Sequence, residues 1–152
     1  MSRLRSGARS VLKWFSPLYA VLIVVQLFLA GEGVFRLRAV YDSDTCKKAV
    51  CGGSTTLDAH RSLGFILTLP LAILFLIVAL LAWYPDMRVR VISLVVPILT
   101  FLQVVLAGIG RWIGGLHVLD AFIILGMFGW LTYTLRREEP ASTDVGAPIP
   151  AD

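Results

Sequence analysis

The sequence predicts an all-α integral membrane protein: a four-helix bundle made of two repeated helical hairpins, with both termini cytoplasmic. Three observations carry this. Of 152 residues, 57% are hydrophobic and only 16% charged, far from the balance of a soluble domain. Four apolar runs, Pro17–Phe35, Ser62–Tyr84, Val91–Ile109 and Leu116–Leu135, each approach the ~20 residues that span the hydrocarbon core as a helix. In lipid, unpaired backbone groups are so costly that such runs must be helical. Finally, Gln26-x-x-x-Ala30-Gly31-x-Gly33 closes the first run and Gln103-x-x-x-Ala107-Gly108-x-Gly110 closes the third. The next runs then open at His60 and His117, which are the chain's only two histidines.

The net charge of +4 does not point to nucleic acid, because its placement is that of a membrane protein. Arg3, Arg5, Arg9 and Lys13 precede the first span, Arg88 and Arg90 join the second to the third, and Arg136 and Arg137 follow the fourth. With both termini inside, these eight lie on the cytoplasmic side. The other side carries Arg36, Arg38, Lys47, Lys48, Arg61 and Arg111, mixed with Glu32, Asp42, Asp44 and Asp58. The expected location is therefore the cell membrane, multi-pass, with loop 36–58 extracytoplasmic and the lipid bilayer as first partner. The start also resembles a secretory signal peptide. Cleavage would remove half of one hairpin, so a retained signal anchor is the expectation.

The expected organisation is a basic, amphipathic cytoplasmic lead-in at 1–16, a four-helix transmembrane domain at 17–136, and a disordered polar tail at 137–152. Trp14, Phe15 and Tyr19 suit the inner interface, and Pro17 suits a helix's first turn. Helix one is expected to end near Gly33. The loop 36–58 is the one long connection, a candidate lid over the outer helix ends. It holds both cysteines, Cys46 and Cys51. A close pair on an oxidising face is expected to form a disulfide, the alternative being two free thiols. Thr55, Thr56 or Asp58 can cap helix two. Pro70 and Pro97 predict bends in helices two and three, which membrane helices tolerate. Trp83, Tyr84, Trp130 and Tyr133 mark the inner interface.

The two histidines carry the chemistry. Helices two and four run in the same direction, so His60 and His117 lie at equal depth near the outer face. In an up-down bundle these helices are diagonal across the core. Two imidazoles facing each other there form a natural haem site, since haem iron takes axial histidine and bundles build cofactor sites from facing helices. Small residues leave room for a flat porphyrin. Gln26, Ala30 and Gly33 share one face, as do Gln103, Ala107 and Gly110, while Gly64 follows His60 and Ala121 follows His117 at i+4. Arg61 and Arg111 lie where their planar forks can meet propionates. The same small faces are also common packing surfaces between membrane helices, and the glutamines can bond to neighbouring helices. Asp120, three residues after His117, has three readings. It can accept a proton from a ligating imidazole, it can carry protons from the outer face, or it can be a hydrated first-turn aspartate favoured by the helix dipole. Glu32 is assigned to solvent.

At these residues the sequence resembles the haem A synthase family, eight-helix membrane enzymes built from two similar four-helix halves. Each half of those enzymes carries a histidine pair at the outer ends of its second and fourth helices. The family's His-Arg looks like His60-Arg61, and its Gln-x-x-x-Gly stretch looks like Gln103 to Ala107-Gly108, followed by the histidine matching His117. Its loop cysteine pair is similar to Cys46 and Cys51. The resemblance covers about Gln26–Gly126, one half only. The chain also looks like a group of small actinobacterial four-helix membrane proteins with no assigned function. The family places a glutamate implicated in catalysis three residues before the helix-two histidine. Here that position is Leu57, and the nearest acid, Asp58, lies on another face.

The functional expectation is a membrane haem b protein with His60 and His117 as axial ligands. Two histidines leave iron no open position, so electron transfer is the simplest role. A haem-modifying enzyme, with Asp58 or Asp120 replacing the missing glutamate, is the second expectation. The third is a cofactor-free membrane subunit of a larger complex. Expected partners are haem, respiratory-chain or haem-handling membrane proteins, and a second copy in a homo-oligomer.

Overall fold

The computed structural model describes residues 2–42, 57–109 and 114–137, and these residues are all-helical apart from two short connections. Four helices follow in chain order: α1 (Ser2–Asp42), α2 (Asp58–Ala82), α3 (Met87–Ile109) and α4 (Gly114–Arg137). Each is long and apolar enough to cross a membrane. The cysteine pair Cys46 and Cys51, the residues Gly110 and Arg111, and the tail from 138 lie outside the described residues, as do Thr55 and Thr56.

The helices pack as an up-down four-helix bundle. α1 lies against α2 and α4, and α3 packs against the same two helices, so α2 and α4 are diagonal across the core. Large apolar side chains point both ways. Tyr19, Phe75, Phe128, Leu131 and Leu135 are buried, while Phe28, Phe65, Ile98, Phe122 and many others stand exposed around the outside. A helix apolar all round belongs in lipid, where the outer face needs no polar cover.

α1 is longer than its apolar run implies. At 41 residues it extends about 60 Å, twice the ~30 Å hydrocarbon thickness. The lead-in before Pro17 is part of this helix, not a separate segment, because Ala8, Leu12, Phe15, Tyr19 and Ile23 recur on one face and all are buried in the core. Pro17 consequently sits in the helix interior and not in a first turn. At the other end the helix passes Gly33 and runs to Asp42, so residues 36–42 of the expected outer loop are helical. Glu32 pairs there with Arg36, one turn on.

α2 has two segments. Asp58–Ile66 and Ala72–Ala82 are α-helical, and Leu67–Leu71 between them forms one π turn containing Pro70. Proline has no N–H to donate, and the wider turn is how the helix absorbs that loss. The Leu67 carbonyl receives the Ala72 N–H and the hydroxyl of Tyr19. Pro97, in contrast, lies buried within an unbroken α3. Among the described residues, no side chain caps the start of α2, where Leu57 is the flanking residue.

The end of the bundle where α2 gives way to α3 is tied by cations and aromatic rings. Trp83 adopts a left-handed conformation with φ 34° that closes α2. Arg9 donates to the carbonyls of Ala82 (3.0 Å) and Trp83 (3.2 Å) and lies over the Tyr84 ring. Arg90 donates to the carbonyl of Tyr84 at 3.0 Å and covers Trp83. Asp86 caps α3 through the N–H groups of Arg88 and Val89. Midway along the bundle, Tyr19 stacks on Phe128 at 4.4 Å, and Phe75 meets Phe128 edge-on at 5.1 Å. This aromatic layer is the floor of the cavity described next.

Candidate functional site

Toward the end of the bundle where α2 and α4 begin, the four helices enclose a cavity of about 110 Å³. His60 and His117 line it, together with Gln26, Ala30, Gly64, Thr100, Gln103, Ala121 and the apolar side chains of Ile23, Leu27, Val118 and Ile124. The hydroxyls of Thr68 and Thr100 donate to carbonyls of their own helices, Gly64 and Val96, so the cavity wall is apolar outside the histidines and glutamines.

Each histidine is clasped by the glutamine of the preceding helix at two points. The Gln26 amide donates to the His60 carbonyl at 2.8 Å, and the His60 Nδ1 lies 3.2 Å from the Gln26 carbonyl. The Gln103 amide donates to the His117 carbonyl at 3.1 Å, and the His117 Nδ1 lies 3.0 Å from the Gln103 carbonyl. A carbonyl can only accept, so each Nδ1 carries the proton. A neutral imidazole protonated there keeps its Nε2 lone pair free, the tautomer that binds a metal, with the second nitrogen anchored on a backbone carbonyl.

The two rings are 6.2 Å apart, centre to centre, with planes at 85°. An imidazole nitrogen binds a first-row metal at about 2.0–2.1 Å and lies about 1.1 Å from its own ring centre. Two such rings on opposite sides of one metal therefore have centres about 6.3 Å apart. The same spacing is also an ordinary edge-to-face ring contact. Among the described residues, no group of three or more His, Cys, Asp or Glu side chains gathers around a point. The pair therefore offers a metal two nitrogens, and a porphyrin is the cofactor that brings the other four. The donor set fits haem. The volume is below the ~300–1,000 Å³ of typical ligand pockets, so a bound porphyrin requires lining side chains to turn aside.

Gly64 and Ala121 line the cavity, and so do both glutamines. Gly64 has a further role: a Cβ there would sit 2.8 Å from the Gln26 Nε2. Gly33 is buried but lies outside the cavity lining, and Ala107 is exposed, unlike its counterpart Ala30. Arg61 is exposed, 3.8 Å from Asp58. Asp58 is exposed as well and does not line the cavity.

Asp120 is not the acceptor for either imidazole Nδ1. It is buried, at 7% exposure, and both Nδ1 atoms are already taken by carbonyls. Its carboxylate lies against the Gln103 side-chain amide, and its Oδ2 has no hydrogen-bond partner among the described residues. Sequence reasoning gave the glutamines no role toward the histidines. The available signal was that each stands at the same place before its histidine's helix. It also missed Tyr19 as a cavity-floor residue. Searches with the whole chain matched no family model, no curated protein and no solved structure.

Proposed function

We propose that this chain is a membrane haem b protein in which His60 and His117 ligate one iron near the outer ends of α2 and α4, and that its role is electron transfer. The observation that carries the reading is the ring pair: 6.2 Å between centres, with both Nδ1 atoms bonded to carbonyls. That combination leaves two free Nε2 lone pairs at a bis-imidazole spacing. Haem bound there would supply a one-electron couple. The chain's own residues fix both ring tautomers through Gln26 and Gln103, and the apolar wall excludes water. The two hairpins are read as a repeat on the same ground, since one clasp recurs in each. The cytoplasmic termini and the extracytoplasmic side of loop 36–58 rest on the placement of the basic residues.

The resemblance to one half of haem A synthase supports haem as the cofactor. Modification of haem is not favoured, because Asp58 is turned to solvent and Asp120 does not line the cavity. The test is a visible spectrum of the detergent-purified protein after haem supplementation. A low-spin Soret shift on reduction with a sharp α band, lost in both His60→Ala and His117→Ala, supports the assignment. A colourless protein, or a low-spin spectrum untouched by both substitutions, contradicts it. Extraction and mass spectrometry of added haem would show unchanged haem b if transfer of electrons is the role.

A further inference from the structure

The two histidines are matched in clasp but not in support. His117 stands on α4, unbroken from Gly114 to Arg137. Its glutamine, Gln103, is buried at 7% exposure, and the Asp120 carboxylate lies against the Gln103 amide. Gln103 and Asp120, both buried, and the half-buried His117 thus form one set spanning α3 and α4, in which the Asp120 Oδ2 has no partner among the described residues. His60 stands on Asp58–Ile66, a segment with no buried residue, joined to the rest of α2 by the π turn at Pro70. Its glutamine, Gln26, is only half-buried, and the Gln26 Oε1 is an enclosed acceptor with no partner among the described residues. Three residues after His60 stands Leu63, where the other half has Asp120. Among the described residues, no carboxylate backs the first clasp.

From this inequality we infer that His117 is the permanent ligand and His60 the exchangeable one, so the His60 side of the site takes a small neutral molecule when that ring withdraws. The inference rests on the haem reading of the pair. Withdrawal needs the Asp58–Ile66 segment to tilt at the π turn, breaking the two hydrogen bonds to Gln26 and burying nothing new. The equivalent motion of His117 would pull apart the Gln103–Asp120 set in an apolar surrounding, where unpaired polar groups are costly. The apolar cavity wall favours an uncharged diatomic over an anion, and carbon monoxide is the probe.

The experiment uses the full chain, haem-loaded in detergent, passed through a desalting column and reduced. His60→Ala is expected to retain at least about tenfold more haem than His117→Ala, to become high-spin, and to bind carbon monoxide promptly. A second comparison does not depend on His117→Ala folding. Asp120→Leu placed in the His60→Ala background, where His117 is the sole protein ligand, is expected to lower haem retention about tenfold. Equal retention by the two histidine variants, the reverse order, or no effect of Asp120→Leu would overturn the inference while a low-spin wild-type spectrum leaves the haem reading standing. A wild-type chain that takes up no haem overturns both.

Discussion

Gln103 and His117 hold each other at two points, amide to carbonyl at 3.1 Å and ring nitrogen to carbonyl at 3.0 Å. The two bonds fix the ring's tautomer and tie α3 to α4. The first expected outcome follows from removing its side-chain half. Gln103→Leu leaves the His117 carbonyl without this donor in an apolar setting and is expected to cost about 1–3 kcal/mol of stability. Thermal unfolding in detergent, followed by circular dichroism, measures it. Gln26→Leu is expected to cost less, because the Gln26 Oε1 already lacks a partner and its removal relieves one unsatisfied group.

A second outcome separates one glycine from the others. Gly64→Ala would put a Cβ 2.8 Å from the Gln26 Nε2, whereas Gly31, Gly108 and Gly126 have nothing within 4 Å. Alanine at those three positions is expected to be neutral or to stabilise by about 0.5–1 kcal/mol, as helix-interior glycine replacement does. Gly64→Ala is expected to displace the Gln26 amide and lower the unfolding temperature. The four variants measured side by side check this.

Much of this architecture was legible in the sequence, for one physical reason. Lipid imposes helices of a set length, so four apolar runs gave four spans, and the depth of His60 and His117 followed from where their runs begin. What was not legible depended on rotation and on neighbours. Asp120 sits three residues from His117, and sequence alone leaves it facing water, the imidazole or another helix. It faces Gln103. The ends of α1 were misplaced because the polar lead-in reads as an interfacial segment. Only packing shows that Ala8, Leu12 and Phe15 continue the buried stripe through Tyr19. Pro70 announced a disturbance in α2, but the π turn, and the Tyr19 hydroxyl that serves the Leu67 carbonyl, could not be read from spacing.

That hydroxyl gives a third outcome. Tyr19→Phe keeps the stack on Phe128 and removes the bond to Leu67. The expected loss is about 1–3 kcal/mol, the cost of leaving a buried polar group without its partner. Tyr19→Leu is expected to cost more, since it also removes the aromatic contact. A stability difference in that order, read from chemical or thermal unfolding, is the check.

The end where α2 gives way to α3 supplies a fourth. Arg9 serves two carbonyls at the close of α2 and covers Tyr84. A lysine cannot reproduce a planar fork that bonds and stacks at once. Arg9→Lys is therefore expected to lose most of the stability that Arg9→Ala loses, roughly 1 kcal/mol in this partly exposed setting. Thermal unfolding of both variants measures the ratio.

The most direct test of the central claim is the electron paramagnetic resonance spectrum of the oxidised, haem-loaded protein. If haem binds between the two rings and they keep the 85° between their planes, the two iron orbitals that they perturb would be nearly equal in energy and a low-spin signal would be strongly anisotropic. One haem per chain with a single low-spin signal of that kind is the predicted result. A purely high-spin signal from the wild-type chain, or a chain that retains no haem, would contradict the account.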